Sequence, residues 1–228
     1  DGIDDLAVGV WQADGLTANE GRVEIFYGST AGLSPTPDLI IEGGQAAASF
    51  GFSLSGGDIN GDGITDLLVG APSWEDTVPS EGAVFWFAGA SSGIDPSPSG
   101  MVVLGSAAAS FGYSLSVVGD VDGDGDDDLL VSAPDYTDPE PQEGLVALFH
   151  GDPSGLVGPP VWSVQSDQTL ARMGHSVSGA GDVDGDSYPD LLVGTPWWDD
   201  VALEMGRVEL WLGGEDPPEL LADWTFVG

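Results

Sequence analysis

Short apolar runs separated by clusters of turn-forming residues recur along the whole chain. Six-residue segments that begin at Phe50 and Phe111 alternate between apolar and polar positions, and an unbroken apolar run such as DLLVGAP follows each of them. Both patterns are typical of β-strands, and no segment of adequate length has the period of an amphipathic helix. The 36 Gly and 16 Pro residues indicate many turns. The pattern therefore predicts an all-β chain.

The same succession of segments occurs three times and in part a fourth time. An alternating segment and an acidic stretch precede the apolar run, and an aromatic and β-branched run follows it, as in RVEIFYG, AVFWFAG, LVALFHG and RVELWLG. A weaker run, MVVLG or VWSVQ, comes last in two of the units. The acidic stretches begin at Asp58, Asp120 and Asp182 and end at Asp66, Asp128 and Asp190, so both positions recur every 62 residues. Asp5 lies 61 residues before Asp66, which makes the opening of the chain the tail of a fourth copy.

Four short strands per repeat describe the blade of a β-propeller, a fold that leaves only short, protected sheet edges. We expect a single propeller region over residues 1–228, with repeats at 1–49, 50–110, 111–172 and 173–228. The first repeat lacks its innermost strand, so the expected total is 15 strands. An open ring leaves edges that invite pairing. We therefore expect the missing strand to come from the remainder of a longer protein or from another chain.

The charge of the chain is strongly one-sided. It has 39 Asp and Glu residues against 3 Arg and no Lys, for a formal net charge of -36. Such a chain cannot displace counterions from nucleic acid, and anionic membrane surfaces repel it. It attracts metal ions or basic partners instead. The absence of Cys excludes disulfides, thiol catalysis and Cys-based zinc sites, and no apolar stretch approaches the roughly 20 residues of a membrane helix.

Each acidic stretch carries oxygen-bearing side chains at relative positions 1, 3, 5 and 9 of a nine-residue loop. We name these the first acidic loop (58–66), the second (120–128) and the third (182–190). Calcium takes about six to eight oxygen ligands, and a backbone carbonyl at position 7 would join the side chains. The predicted ligands are Asp58, Asn60, Asp62, Ile64 and Asp66; Asp120, Asp122, Asp124, Asp126 and Asp128; and Asp182, Asp184, Asp186, Tyr188 and Asp190, with a partial fourth site at Asp1, Ile3 and Asp5.

Other interpretations of the acidic loops fit the residues less well. An EF-hand would place a Glu at position 12 and flank the loop with helices, whereas an apolar strand follows position 9 here. Magnesium resists dehydration, and zinc prefers nitrogen and sulfur ligands. A plain acidic turn would hold three or four carboxylates together without a compensating cation, which is strongly repulsive. Calcium is the predicted cofactor, in a structural role.

The repeat resembles a known family. Phe50-Gly51 followed by Gly70-Ala71-Pro72 is similar to the FG-GAP repeat of integrin α-subunit propellers, and the acidic loop between them resembles that family's calcium loop. The later copies depart modestly, with Met173-Gly174 in place of Phe-Gly and Ser132-Ala133-Pro134 in place of Gly-Ala-Pro. The resemblance implies a seven-bladed ring with calcium on one face and partner binding on the other.

The loops between the second and third strands are the most variable parts of the repeat and would lie on the face opposite the calcium loops. Three of them place an aromatic residue eight positions after the last calcium ligand: Trp74, Tyr136 and Trp198. Aromatic residues beside acidic ones suit a sugar or a basic peptide, although packing between blades is an equally natural role for them. His150 is expected on an outer strand of a blade and His175 in inner-strand packing, so neither indicates catalysis.

The sequence therefore predicts a non-catalytic, calcium-stabilised extracellular module for adhesion or protein recognition. Its partners would be a protein or glycan bound on the face opposite the calcium loops, with no nucleic acid and no membrane insertion. Two alternatives stay open. One is a propeller lectin, and the other is the accessory propeller of a secreted hydrolase or lyase.

Overall fold

The computed structural model describes residues 2–156, 158–200 and 205–228. These ranges contain 15 strands and no helix, and hence no helix that could cross a membrane. In chain order the strands are β1 (Leu6–Val10), β2 (Arg22–Phe26), β3 (Leu39–Glu42), β4 (Ser53–Gly57), β5 (Asp66–Ala71), β6 (Ala83–Phe87), β7 (Gly100–Val103), β8 (Leu115–Gly119), β9 (Asp128–Ala133), β10 (Leu145–Phe149), β11 (Trp162–Gln165), β12 (Ser176–Gly181), β13 (Asp190–Thr195), β14 (Arg207–Trp211) and β15 (Trp224–Val227).

Consecutive strands pair antiparallel and form four separate sheets. Blade 1 contains β1 to β3, blade 2 contains β4 to β7, blade 3 contains β8 to β11 and blade 4 contains β12 to β15. The predicted all-β architecture of four-stranded antiparallel blades is confirmed, and the described ranges contain the 15 strands expected. The innermost strands start later than predicted, because β4 begins at Ser53 rather than at Phe50. Gly51 has a φ of +83°, which interrupts the extended backbone before that strand.

The hydrophobic core lies between the blades rather than within any one of them. One cluster joins blades 2 and 3, where Leu68 and Val84 pack with Phe111 and Leu129. Two further clusters join blades 3 and 4 and blades 1 and 2. All six residues of β5 and all six of β9 are buried, because neighbouring blades cover both of their faces. This double burial explains why these strands are unbroken apolar runs in the sequence.

The glycines of the repeat mark close approaches between blades. The Cβ that a side chain would add at Gly70 lies 2.2 Å from the carbonyl oxygen of Gly112 in the next blade. The same contact joins blades 1 and 2, where a Cβ on Gly9 would lie 1.9 Å from the carbonyl oxygen of Gly51. Real Cβ atoms do not come so near to an oxygen, so the spacing of these blades depends on Gly.

Candidate functional site

The three complete acidic loops lie at the same end of their blades. The first connects β4 to β5, the second connects β8 to β9 and the third connects β12 to β13, so each joins an innermost strand to the second strand of its blade. A strand ends one residue before position 1 in all three cases, and the next strand begins at position 9. The sheet therefore fixes both ends of every loop and leaves only eight residues between the two strands, which forces a tight turn.

The carboxylates of each loop bind the backbone N–H groups of the same loop. In the second loop, Asp120 accepts hydrogen bonds from the N–H groups of Gly123 and Asp124, at 2.6 and 3.0 Å. Asp122 accepts from the N–H of Asp124 at 3.2 Å, and Asp124 accepts from that of Asp126 at 3.0 Å. The other loops repeat this scheme with Asp58, Asn60 and Asp62 and with Asp182, Asp184 and Asp186. The N–H at position 4 bonds to position 1 in the second and third loops. The bonds to the N–H groups at positions 5 and 7 are common to all three loops.

The aspartate at position 9 is the most firmly held of the set. Asp128 is fully buried, and its two carboxylate oxygens accept hydrogen bonds from the N–H groups of Val121 and Gly151, at 2.8 and 2.9 Å. Asp66 and Asp190 are also fully buried and have the equivalent pair of donors. One donor comes from position 2 of the loop and the other follows the third strand. Position 9 thus ties each acidic loop to the body of its blade.

These arrangements bring negative charges close together. Carboxylate oxygens of Asp120, Asp122 and Asp124 lie within 4.8 Å of one another, and so do those of Asp182, Asp184 and Asp190. Burial raises the pKa of Asp128 to about 6, and it also raises the pKa of Asp66. A convergent set of oxygen donors that no Arg contacts within the described ranges fits a hard divalent cation such as calcium. The residues present in the second and third loops are therefore suited to that ion.

The partial copy at the start of the chain shares one feature with the complete loops. Asp5 accepts a hydrogen bond from the N–H of Gly28 at 2.7 Å, as the position-9 aspartates do from their equivalent glycines. Asp5 and Ile3 are exposed. Asp1 lies outside the described residues, so the structure describes only part of the predicted fourth set.

Position 7 uses its side chain as well as its backbone. The Tyr188 ring lies over Gly123 in the preceding loop, with its Cε1 atom 3.0 Å from the Cβ that Gly123 would carry. Asp126 lies over Gly61 in the same manner, and its Oδ1 atom is 2.0 Å from the corresponding Cβ position. The sequence predicts only a carbonyl role for this position. The structure adds a contact from each of these two loops to the loop of the preceding blade.

The expectation for His150 is corrected by the structure. This residue follows the end of β10 and is not part of a strand, and its Nδ1 atom lies 2.9 Å from Oδ2 of Asp122 in the second acidic loop. The equivalent position in blade 2 is Ala88. Because the end of the third strand and the acidic loop lie at the same end of a blade, a long side chain there reaches the loop. His175 packs between aromatic rings next to β12, as expected.

Aromatic side chains form a continuous row at the opposite ends of the inner strands. Trp11, Phe52, Tyr113, His175 and Trp197 contact one another in that order, with centroid separations of 5.5, 4.9, 5.2 and 5.1 Å. We call this the aromatic row. Four of its members are half-buried and Trp11 is exposed, so the row keeps accessible ring surface. Its first four members come from four different repeats, which makes the row a property of the whole array.

The three aromatic residues predicted to bind a ligand lie on the same side of the molecule and contact their own blades. Trp74 packs edge-on against Phe85 at 4.8 Å, and Arg207 stacks over the ring of Trp198 at 3.6 Å. Tyr136 packs against the core between blades 2 and 3. These contacts are those of packing residues, and ligand binding by the three side chains stays a prediction.

Residues 50–85, 111–149 and 173–208 match the FG-GAP repeat family. The chain is an FG-GAP repeat protein. It is similar to human integrin alpha-7, with 37% identity over 70% of the chain, and to Drosophila melanogaster integrin alpha-PS2, with 32% identity over 91%. It is also similar to human phosphatidylinositol-glycan-specific phospholipase D, with 34% identity over 87%. The matched region spans 13%, 15% and 25% of these relatives, in that order.

A buried glutamate recurs in three of the four repeats, and the motifs read from the sequence do not include it. Glu20, Glu81 and Glu143 are fully buried, and each precedes the glycine that leads into the third strand. Glu81 accepts hydrogen bonds from three successive backbone N–H groups of its own loop, those of Asp76, Thr77 and Val78. Burial alone would raise the pKa of Glu81, but these hydrogen bonds outweigh it and lower the pKa. The spacing of 61 and 62 residues is the signal that could have found this set.

Proposed function

We propose that this FG-GAP chain is a calcium-stabilised, extracellular recognition module that binds protein ligands and has no catalytic role. The observation that carries the proposal is the division of the molecule into two faces. One end of the blades bears three acidic loops with closely similar hydrogen bonding, and the other end bears the aromatic row and the variable loops. The first face supplies stability and the second supplies binding.

Calcium is proposed for the three complete loops, with the side chains at positions 1, 3, 5 and 9 and the carbonyl at position 7 as ligands. Ile64, Asp126 and Tyr188 would contribute those carbonyls. What supports this is the convergence of carboxylate oxygens in the second and third loops and the equivalent hydrogen bonds in the first. Bound calcium would relieve the repulsion between the carboxylates and so hold each tight turn closed.

Protein recognition is proposed for the opposite face. The buried glutamates give the loops between the second and third strands a fixed shape, and variable loops on a rigid scaffold are a common form of binding surface. Exposed and half-buried rings of the aromatic row lie beside these loops, and aromatic side chains provide large contact areas at low entropic cost. An extracellular location follows from the likeness to integrin α-subunits and from the need for free calcium.

A second candidate function is that of an accessory propeller in a secreted hydrolase. The specific observation in its favour is the similarity to a phospholipase D over 87% of this chain. That similarity covers a quarter of the enzyme, so it does not carry the enzyme's activity to this chain. A propeller lectin is the third possibility, with sugars bound by the same face.

The recognition proposal is tested by binding the calcium-loaded chain to arrays of extracellular proteins and of glycans. We expect the chain to bind protein ligands. This binding should be lost in Tyr113→Ala, which interrupts the aromatic row, and retained in Trp224→Ala. The Trp224 ring is exposed on β15, away from the row, and controls for the loss of an aromatic side chain. Circular dichroism would confirm that both variants fold. Binding to glycans alone would favour the lectin, and protein binding unaffected by Tyr113→Ala would contradict the proposed face.

A further inference from the structure

The carboxylate of Asp126 has no role in the calcium ligand set, since only the carbonyl of position 7 is used there. The residue is nevertheless buried, with a relative exposure of 8%. Among the residues that the structure describes, no group donates a hydrogen bond to this carboxylate and no cation pairs with it; the backbone N–H of Asp126 donates to Asp124. A buried carboxylate without a donor or counter-charge is costly. Its position therefore points to a positive partner that the protein itself does not supply.

The Asp126 carboxylate is directed at the first acidic loop, in the preceding blade. Its Oδ1 atom occupies the space beside Gly61, so close that a Cβ there would lie 2.0 Å away. Its surroundings are negative on both sides, with Asp124 and Asp120 from its own loop and Asp58 from the first loop. Asp126 thus lies between two predicted calcium sites.

Backbone hydrogen bonds prevent Asp126 from moving away from the first loop. The N–H of Asp127 donates to the carbonyl of Asp58 at 2.9 Å, and the N–H of Asp58 donates to the carboxylate of Asp127 at the same distance. The N–H of Asp152 donates to the carbonyl of Ile59 at 3.1 Å. The second loop and the segment after β10 are consequently both tied to the first loop, and the side chain of Asp126 is held where they meet.

The first loop is also the one with a missing charge. It has Asn60 at position 3, where the second and third loops have Asp122 and Asp184. Its own side chains therefore provide three carboxylates, whereas each of the other two loops provides four. The contact between the second and third loops has no such carboxylate, because the uncharged Tyr188 ring occupies the position that Asp126 occupies between the first and second loops.

We propose that Asp126 supplies the fourth negative charge for the cation of the first acidic loop, from the neighbouring blade. The carboxylate lies outside the loop and acts on the bound ion through space rather than as a direct ligand. Calcium in the first loop would in return compensate the buried charge of Asp126 and strengthen the contact between blades 2 and 3. This inference rests on the proposed calcium binding.

The test measures calcium affinity by calorimetry in the full chain carrying Asp124→Ala and Asp186→Ala, so that the first loop alone remains complete. Adding Asp126→Asn should weaken binding about tenfold, a typical effect for removing one nearby charge. Adding Asp95→Asn instead removes the same charge from an exposed site in blade 2 and should change the affinity by less than about twofold. Equal effects of the two substitutions would overturn the proposal.

A rescue experiment in the otherwise unmutated chain keeps the proposal testable if the triple variant does not fold. Asp126→Asn should weaken one of three calcium sites, and Asn60→Asp added to it should restore that site, because the first loop regains its fourth carboxylate. Failure of the rescue would contradict the inference about Asp126 while leaving calcium binding intact. An unmutated chain that binds no calcium would instead refute the proposed function itself.

Discussion

The backbone of Gly70 in blade 2 lies directly against the backbone of Gly112 in blade 3, with room for no side chain between them. A Cβ on Gly70 would lie 2.2 Å from the carbonyl oxygen of Gly112 and 2.1 Å from the hydroxyl of Ser53. These two residues are the Gly of the Gly-Ala-Pro segment in one repeat and the Gly of the Phe-Gly segment in the next. The two halves of the repeat motif therefore meet across the boundary between blades.

Gly70→Ala should destabilise the chain by about 1–3 kcal/mol, the usual effect of overpacking, because Gly112 contributes rigid backbone to the clash. Gly194→Ala is the matched control, at the equivalent position of blade 4. A Cβ on Gly194 comes within 3 Å of the Ser176 hydroxyl alone, at 2.6 Å, and a hydroxyl can rotate away. Chemical denaturation in calcium would measure both variants. Similar midpoints for the two variants would show that the contact between blades does not require Gly.

Glu81→Ala should destabilise the chain by about 1–3 kcal/mol, because it removes the buried acceptor of three successive backbone N–H groups of its loop. Glu75→Ala, in the same loop, removes an equal charge from an exposed side chain and should be nearly neutral. Hydrogen exchange of the Thr77 and Val78 amides gives a local measurement, in which we expect faster exchange for Glu81→Ala alone. Unchanged protection would contradict the role of Glu81 in holding the loop.

Without calcium, the chain should become more stable as the pH falls from 7 to about 5.5. Burial raises the folded-state pKa of Asp128 to about 6, above the unfolded value of about 3.8. The folded chain therefore takes up protons before the unfolded chain does, and the unfavourable charge is neutralised. Thermal melts in chelator should show a rising midpoint over this range. A midpoint that falls in chelator would contradict the account of uncompensated buried carboxylates.

The contribution of Glu81 to stability should change in the opposite direction, decreasing as the pH falls. Its pKa is lowered in the folded chain, so its contribution to stability is present above the unfolded value of about 4.5 and is lost as the pH falls through the folded value. The difference in stability between the unmutated chain and Glu81→Ala should therefore shrink below pH 4.5. A constant difference down to pH 3 would indicate that the carboxylate charge does not matter.

Much of the fold could be predicted because each repeat carries complete local information. Alternating segments, apolar runs and turn residues recur at a fixed spacing. An assignment of strands and loops therefore has to fit three copies at once, which excludes most alternatives. The start of β4 was misplaced because Phe50 belongs to the apolar pattern but lies before the strand, where it forms an isolated parallel bridge with Gly21. Periodicity reports which residues are buried and does not distinguish a strand from a bridge to another blade.

The acidic loops could be predicted from the sequence for the same reason. The side-chain contacts between neighbouring repeats could not be predicted. The aromatic row joins residues from all four repeats, among them Phe52, Tyr113 and His175, and sequence spacing gives no distance between them. Asp126 was assigned a carbonyl role because position 7 varies in chemistry, yet its side chain reaches Gly61 in the preceding blade. Such contacts depend on how adjacent blades are rotated and offset, which no single repeat encodes.

Calcium titration of the chelator-treated chain, followed by calorimetry and thermal melting, tests the central claim most directly. We expect three sites with dissociation constants of roughly 10⁻⁴ to 10⁻³ M, typical of extracellular modules, and a rise in melting temperature well beyond that given by magnesium. Asp124→Ala should remove one site and part of the rise. A melting temperature that calcium does not change would contradict the structural role of the loops, and nanomolar binding at every site would contradict the extracellular location.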